Sequence, residues 1–235
     1  MSPYGKALVD YYQGDDSAEI IHHREDGYSI KLPVEIFFRE ESKMSKIEWK
    51  ALQLCFGNVL DIGAGTGLHS LILQDKGLNV KAIDISPESV EVMKNRGVRN
   101  AECRDIFEFE GEKFDTLLML LHGIGITGDL DGFHRYLKHA YELTEPNGIV
   151  LFDSLDVRCT DNPKHLEYQE YKRKKGEYIG EIKMEIEYKG EKGSLVNWLH
   201  LDPDTLKKEI KKTKWSCEII HKEPSGDYLA KLEKE

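Results

Sequence analysis

Two patterns of apolar and polar positions divide the chain. From Asn58 to Phe152, short apolar runs alternate with stretches whose apolar residues recur every three or four positions. Val59-Leu60-Asp61-Ile62 is a run of the first kind and ends in a glycine-rich turn, as a buried parallel strand does. Residues 68–76 carry Leu68, Leu71 and Ile72 at helical spacing and stop at Gly77. Residues 79–85 predict a second strand. Ser86-Pro87-Glu88 then supplies an N-cap, a proline at the first helical position and an acid in the first turn. That helix turns Val90 and Met93 inward and ends at Gly97. Residues 98–104 predict a third strand and 114–121 a fourth. Asp129 caps a helix with Leu130, Phe133, Leu137, Ala140 and Tyr141 inside, and Pro146-Asn147-Gly148 turns into a fifth strand at 149–152.

The flanks read differently. Residues 1–58 hold short apolar clusters among charges, with one helix predicted over 45–56 that Gly57 stops. Residues 178–188 alternate strictly, with Ile182, Met184, Ile186 and Tyr188 on one face. A turn at 189–193 and a return strand within 194–201 make this an inserted hairpin. The Lys172–Lys175 run reads as an exposed helix end. Asp202-Pro203-Asp204-Thr205 repeats the cap-plus-proline device and opens a helix to Lys214, and strands at 216–221 and 228–232 flank Pro224-Ser225-Gly226-Asp227. Strands and helices alternating at this spacing require right-handed crossovers and a parallel sheet covered on both faces. The expectation is an α/β protein with a Rossmann-like, doubly wound, mostly parallel seven-stranded sheet. An N-terminal helical cap (1–58) precedes a core of 59–156 plus 202–235, and 157–201 form an inserted helix and β-hairpin.

Composition narrows the partners. The chain has 235 residues, 40% of them hydrophobic and 32% charged, which suits one large domain and not a disordered chain. Thirty-three basic against forty-three acidic residues leave a formal charge of −10, which argues against a broad nucleic-acid footprint or a polybasic membrane surface. Cys55, Cys103, Cys159 and Cys217 show no C-x-x-C and no metal-ligand spacing, so they read as mostly buried apolar residues in a reducing compartment, with no metal expected. The opening residues carry no hydrophobic stretch of signal-peptide type, and the longest uncharged segment, 116–128, is too short to span a bilayer. A cytoplasmic protein is expected.

The chemistry concentrates in Asp61-Ile62-Gly63-Ala64-Gly65-Thr66-Gly67, between the first strand and its helix. Glycines there let the backbone turn sharply and let a ligand approach the main chain. A dinucleotide fingerprint needs G-x-G-x-x-G, because the pyrophosphate sits on the helix N-terminus. Gly63 and Gly65 match, but Leu68 holds the third position, and the glycine stands one step earlier at Gly67. An acid at the strand end, Asp61, would repel a phosphate and suits a cationic adenosine derivative better than NAD or FAD.

On these residues the chain resembles the class I S-adenosylmethionine-dependent methyltransferases. Their acid-G-x-G-x-G motif stands as Asp61, Gly63, Gly65 and Gly67, and their acid at the end of strand two as Asp84, followed by Ile85. A carboxylate accepting from both ribose hydroxyls is a sound bidentate match. Their acid after strand three stands as Asp105. The resemblance implies that Asp105 meets the adenine amino group and the backbone of Ile106 a ring nitrogen. Leu121-His122-Gly123 falls where the family places donor and acceptor contacts. It further implies S-adenosylmethionine as cofactor, S-adenosylhomocysteine as product, and a small-molecule acceptor of the quinone-biosynthesis type. Residues 1–56 and the inserted 157–201, which precede and follow strand ends on the ligand side, are expected to roof the acceptor pocket, 157–201 as its lid.

Several residues carry two readings. His122 either lines the site, as a base, or is a satisfied core histidine. Tyr11 and Tyr12 are either core aromatics or the N-terminal tyrosine with which some relatives close the donor pocket. His69 reads as packing or solvent-facing, and His22-His23 as a solvated loop. Methyl transfer from a sulfonium is an in-line displacement in which alignment and exclusion of water supply most of the rate. A base is needed only where the acceptor must lose a proton. No asparagine-proline-proline-aromatic motif follows strand four, and no cysteine arrangement for pyrimidine C5 chemistry is present. A non-catalytic cofactor-binding regulator and an aminopropyltransferase remain as alternatives.

Overall fold

Six of the seven described α-helices start where a capping side chain sits, in a computed structural model that describes residues 1–234. Ser2 opens α1 (Pro3–Tyr12), its Oγ accepting from the Gly5 amide at 3.0 Å. A hairpin follows, β1 (Glu19–Arg24) and β2 (Ser29–Pro33), then α2 (Lys46–Leu54), opened by a reciprocal capping box between Ser45 and Glu48. The core then runs β3 (Asn58–Ile62), α3 (Leu68–Asp75), β4 (Asn79–Asp84), α4 (Pro87–Arg96), β5 (Ala101–Cys103), β6 (Phe114–Met119), α5 (Leu130–Leu143) and β7 (Thr144–Leu155). Ser86 and Asp129 cap α4 and α5, as the sequence predicts. The remainder is α6 (Pro163–Lys174), β8 (Glu181–Tyr188), β9 (Glu191–Lys192), β10 (Val196–Leu199), α7 (Pro203–Ile210), β11 (Trp215–Lys222) and β12 (Asp227–Lys234).

Among the described residues the larger sheet has seven strands in the order β11-β12-β7-β6-β3-β4-β5. The pairs from β5 through β7 are parallel, and β12 and β11 add antiparallel strands at one edge. Alternation along the strands covers both faces. Leu60, Ile62, Leu117 and Met119 pack with Phe133, Leu137, Ala140, Leu206 and Ile210 of α5 and α7. Val59, Leu118 and Leu151 pack with Ile47, Ala51, Leu52 and Leu73 of α2 and α3. This is the doubly wound α/β fold the strand–helix alternation requires.

The flanks join in a second sheet, β10-β8-β1-β2, with β9 paired to β8. Strand β1 runs antiparallel to β8, Ile21 opposite Glu187, so the hairpin of the insertion is completed by the N-terminal segment. Trp198 of β10 lies against the turn after β6, where a Cβ on Gly125 would overlap its ring.

Five expectations are corrected. His22 and His23 lie on β1 and not in a solvated loop, and they point to opposite faces: His23 bonds Ser29 and Glu187, while the His22 Nε2 is buried without a partner among the described residues. Lys172 is buried and paired with Glu177, because its α6 face packs inward. Of the cysteines only Cys55 is buried; Cys103 and Cys159 are exposed and Cys217 intermediate. The third strand is only three residues long, since Val98 turns under the glycine bend to pack with Met93. The helix opened by Asp202 ends at Ile210 and not at Lys214. No helix among the described residues is long and apolar enough to cross a membrane.

Candidate functional site

Connectivity places the site. The chain leaves β3 toward β4 and β5, then returns to the other side of β3 to lay down β6 and β7. Such a reversal opens a crevice at the carboxyl ends of the strands, here between β3 and β6. Two loops flank it: residues 63–67 after β3 and 121–123 after β6. They sit close, since a Cβ on Gly123 would come 4.0 Å from the Ile62 carbonyl oxygen.

The glycine bend is held from three sides. Gly63, Gly65 and Gly67 adopt φ of 67°, 59° and 75°. The Gly63 and Ala64 amides donate to the Ile83 carbonyl at 2.9 and 3.0 Å, tying the bend to β4. Arg96 of α4 donates to the carbonyl and hydroxyl of Thr66, both at 2.7 Å, and Thr66 in turn bonds the Phe37 carbonyl. The three glycines differ in what surrounds them. A Cβ on Gly67 would meet Val98 Cγ2 at 2.5 Å, and one on Gly65 the Tyr4 hydroxyl at 3.4 Å. One on Gly63 would have nothing within 4 Å. Gly67 serves packing, and Gly63 borders open space where a ligand can lie against the main chain.

Asp84 closes the adjoining strand. Its Oδ2 accepts from the Gly65 amide and its Oδ1 from the Ser86 amide, both at 2.9 Å. Burial pushes this carboxyl up, and the two amides hold it back. Each oxygen keeps acceptor capacity beyond its one bond. Asp61, by contrast, is turned beneath the bend: it is 1% exposed and accepts from Ser70 Oγ at 2.6 Å. Burial raises its pKa, against His69 and Ser70. Of the two acids, Asp84 is the one bonded to the backbone of the glycine bend.

The remaining expected contacts scatter more. Ile85 is 70% exposed beside Asp84. Asp105 accepts from the Phe107 amide at 2.9 Å and so caps the short turn at Ile106–Glu108, with Ile106 buried in the core. Tyr11 stacks on Phe38 at 4.7 Å, and Tyr12, 42% exposed, donates to the Asn95 carbonyl at 3.2 Å. Neither reaches the bend. Tyr4, about two turns earlier on α1, does; burial and the charge of Asp84 push its phenol pKa up. His69 is neither simply packed nor solvent-facing: it is buried and bonds Glu48 at 2.9 Å. Against the push of burial, His69 and Arg39 hold Glu48 down at about 2.

Across the crevice, Leu121 and His122 both adopt left-handed backbone, φ 59° and 58°. For these residues that costs on the order of 1–3 kcal/mol each, a strain typical of functional turns. The His122 amide donates to Asp153 Oδ1 at 2.9 Å, and its Nε2 bonds Asp227 Oδ1 at 2.8 Å, with Asp153 Oδ2 3.8 Å away. The His200 ring stands edge-on to His122 at 5.3 Å. Burial pushes Asp153 up to about 6. For His122 burial opposes the proton, but the Asp227 bond and the Asp153 charge prevail and raise its pKa. Burial and His122 push His200 down to about 3. The sequence reading missed Tyr4, Asp153, Asp227 and His200. Only Asp153, a charge closing the apolar run Ile149–Phe152, left a readable signal.

A glycine bend at a topological switch point, with a backbone-anchored acid on the next strand, defines a Rossmann-like protein that binds a ribose-bearing ligand. The model of the family described as "Methyltransferase domain" matches residues 21–208, and the chain belongs to that family. A solved S-adenosylmethionine-dependent methyltransferase from Bacteroides fragilis, in complex with S-adenosyl-L-homocysteine, is 34% identical with a TM-score of 0.87, covering 99% of this chain and 94% of that one. A second from Clostridium acetobutylicum shares the fold at 17% identity and a TM-score of 0.59, over 82% and 93% of the two chains. The ubiquinone biosynthesis O-methyltransferase of Rickettsia conorii is 26% identical over 162 residues, 65% of this chain and 51% of that protein. The chain spans about half the length of the curated relatives it matches.

Proposed function

We propose that this protein transfers a methyl group from S-adenosylmethionine to a small-molecule acceptor in the cytoplasm. The observation that carries the reading is Asp84, fixed by the Gly65 and Ser86 amides beside a bend whose Gly63 borders open space. The 34%-identical relative crystallised with S-adenosylhomocysteine supports the donor.

The residues present fit that donor. Asp84 would accept from the ribose hydroxyls, with Ile85 beside it. Gly63, Ala64, Gly65 and Gly67, over the buried Asp61, would form the bend that takes the amino-acid portion. Asp105 and the Ile106 backbone would take the adenine, and Leu121 would contact the donor from the opposite loop. Tyr4 of α1, and not Tyr11 or Tyr12, covers the bend. When bound, the sulfonium supplies an electrophilic methyl group whose leaving group is a neutral thioether. The chain's own work is to hold the acceptor in line, exclude water and receive a proton at His122.

Calorimetry with S-adenosylhomocysteine and with NAD as separate titrants tests this. Micromolar binding of the first and none of the second is expected; preferential binding of NAD overturns it.

A further inference from the structure

His200 belongs to the segment between β10 and α7, and it is fixed there by its neighbours. Leu199 and Leu201 on either side are both 0% exposed, and the His200 amide donates to the Gly180 carbonyl at 2.8 Å. Its backbone is thereby fixed, and its Nδ1 is buried with no hydrogen-bond partner among the described residues. Leaving such a nitrogen unpaired is destabilising, a cost that a leucine at this position would avoid. The ring lies 5.3 Å from that of His122. His122 spends its Nε2–H on Asp227, so in the neutral ring its Nδ1 is the free acceptor. Two imidazole nitrogens, from two different parts of the chain, are thus both unspent in one pair of neighbouring rings.

The charges beside them select further. Asp153 and Asp227 both face His122, and each repels a carboxylate or thiolate brought to the same place. Among the described residues no arginine or lysine bonds either acid. We infer that His200 is a specificity-determining residue that hydrogen-bonds the acceptor, and that the acceptor is a neutral molecule carrying a hydroxyl with a second hydrogen-bonding group beside it. The hydroxyl attacks while its proton passes to His122 Nδ1. The new bond is O–CH3, the broken bond is C–S, and its electron pair stays on sulfur. The imidazolium is held by Asp227 and Asp153 until water takes the proton. This rests on the methyltransferase reading above and specifies its acceptor.

The test incubates the full chain with donor carrying a CD3 group and a deproteinised cell extract split by ion exchange into neutral, acidic and basic fractions. Mass spectrometry should find the label in the neutral fraction, as ethers stable to mild alkali. With the labelled compound as substrate, His200→Leu should raise KM about tenfold with kcat within about threefold, the loss of one hydrogen bond. His200→Asn should recover part of that, and both should bind S-adenosylhomocysteine as wild type does. Label on carboxylates or amines, no label at all in a protein that binds S-adenosylhomocysteine, or an unchanged KM in His200→Leu overturns the inference. Failure to bind S-adenosylhomocysteine overturns the donor reading instead.

Discussion

The Gly65 amide donates to the Asp84 carboxylate across 2.9 Å, joining the middle of the glycine bend to the end of the neighbouring strand. One acid thus ties the bend to the strand beside it. Asp84→Ala should weaken S-adenosylhomocysteine binding by about 10- to 100-fold, the range for losing hydrogen bonds to a charged group. Calorimetry reads this directly. Asp84→Asn, which keeps an oxygen for one amide, should fall between the two. Unchanged affinity in the alanine variant would remove Asp84 from the donor site.

Gly63 and Gly67 share a left-handed backbone but not surroundings, so alanine separates their roles. Gly67→Ala adds a Cβ 2.5 Å from Val98 Cγ2 to the backbone strain. A loss of about 2–5 kcal/mol in urea unfolding is expected, from left-handed strain plus overpacking. Gly63→Ala meets no atom within 4 Å and should lose only about 1–2 kcal/mol, the strain alone. Its larger effect should be on donor affinity, because the added methyl occupies space the ligand uses.

Asp153 supplies a pH dependence of the fold. Burial holds its folded pKa at about 6, above the ordinary 3.8. Between those values the folded state keeps a proton the unfolded chain has lost, so this group's contribution to stability falls as pH rises from about 4 to about 6. Asp153→Asn keeps an oxygen for the His122 amide and removes the ionisation. Urea midpoints of the variant should lack that decline, and the variant should be the more stable protein at pH 7. A decline of equal size in the variant would assign it to another group.

The core was legible because its signals are local. Ser86-Pro87, Asp129 and Asp202-Pro203 start helices through contacts within a few residues, and apolar runs such as Ile149–Phe152 mark buried strands wherever they pair. Asp84 was legible for the same reason, as the end of one such run. What escaped depends on pairing across the chain. The His22-His23-Arg24 stretch becomes a strand only because β8, some 160 residues later, lies beside it. Tyr4 finds the bend only because α1 packs on α4. Nothing local distinguishes the turn acid Asp227, whose partner His122 lies 105 residues earlier.

That partnership carries the last prediction. Burial opposes a proton on His122, and the Asp227 bond with the Asp153 charge overcomes it, so the folded pKa stands above the ordinary 6.5. A raised histidine contributes stability that is fully present below the unfolded pKa and is lost as pH rises through the folded one. Asp227→Asn removes the charge while leaving an oxygen that accepts from Nε2–H, so the ring stays in place and only its electrostatics change. Imidazole resonances followed by NMR should show His122 titrating at lower pH in the variant, and the variant's stability deficit should be larger at pH 6 than at pH 9. The acid limb of the transfer rate should shift to lower pH with it, and kcat should fall, because a less basic Nδ1 draws less strongly on the acceptor's proton. If His122 titrates unchanged in Asp227→Asn, its proton affinity is set elsewhere, and Asp227 is a structural contact of the C-terminal hairpin with no part in the chemistry.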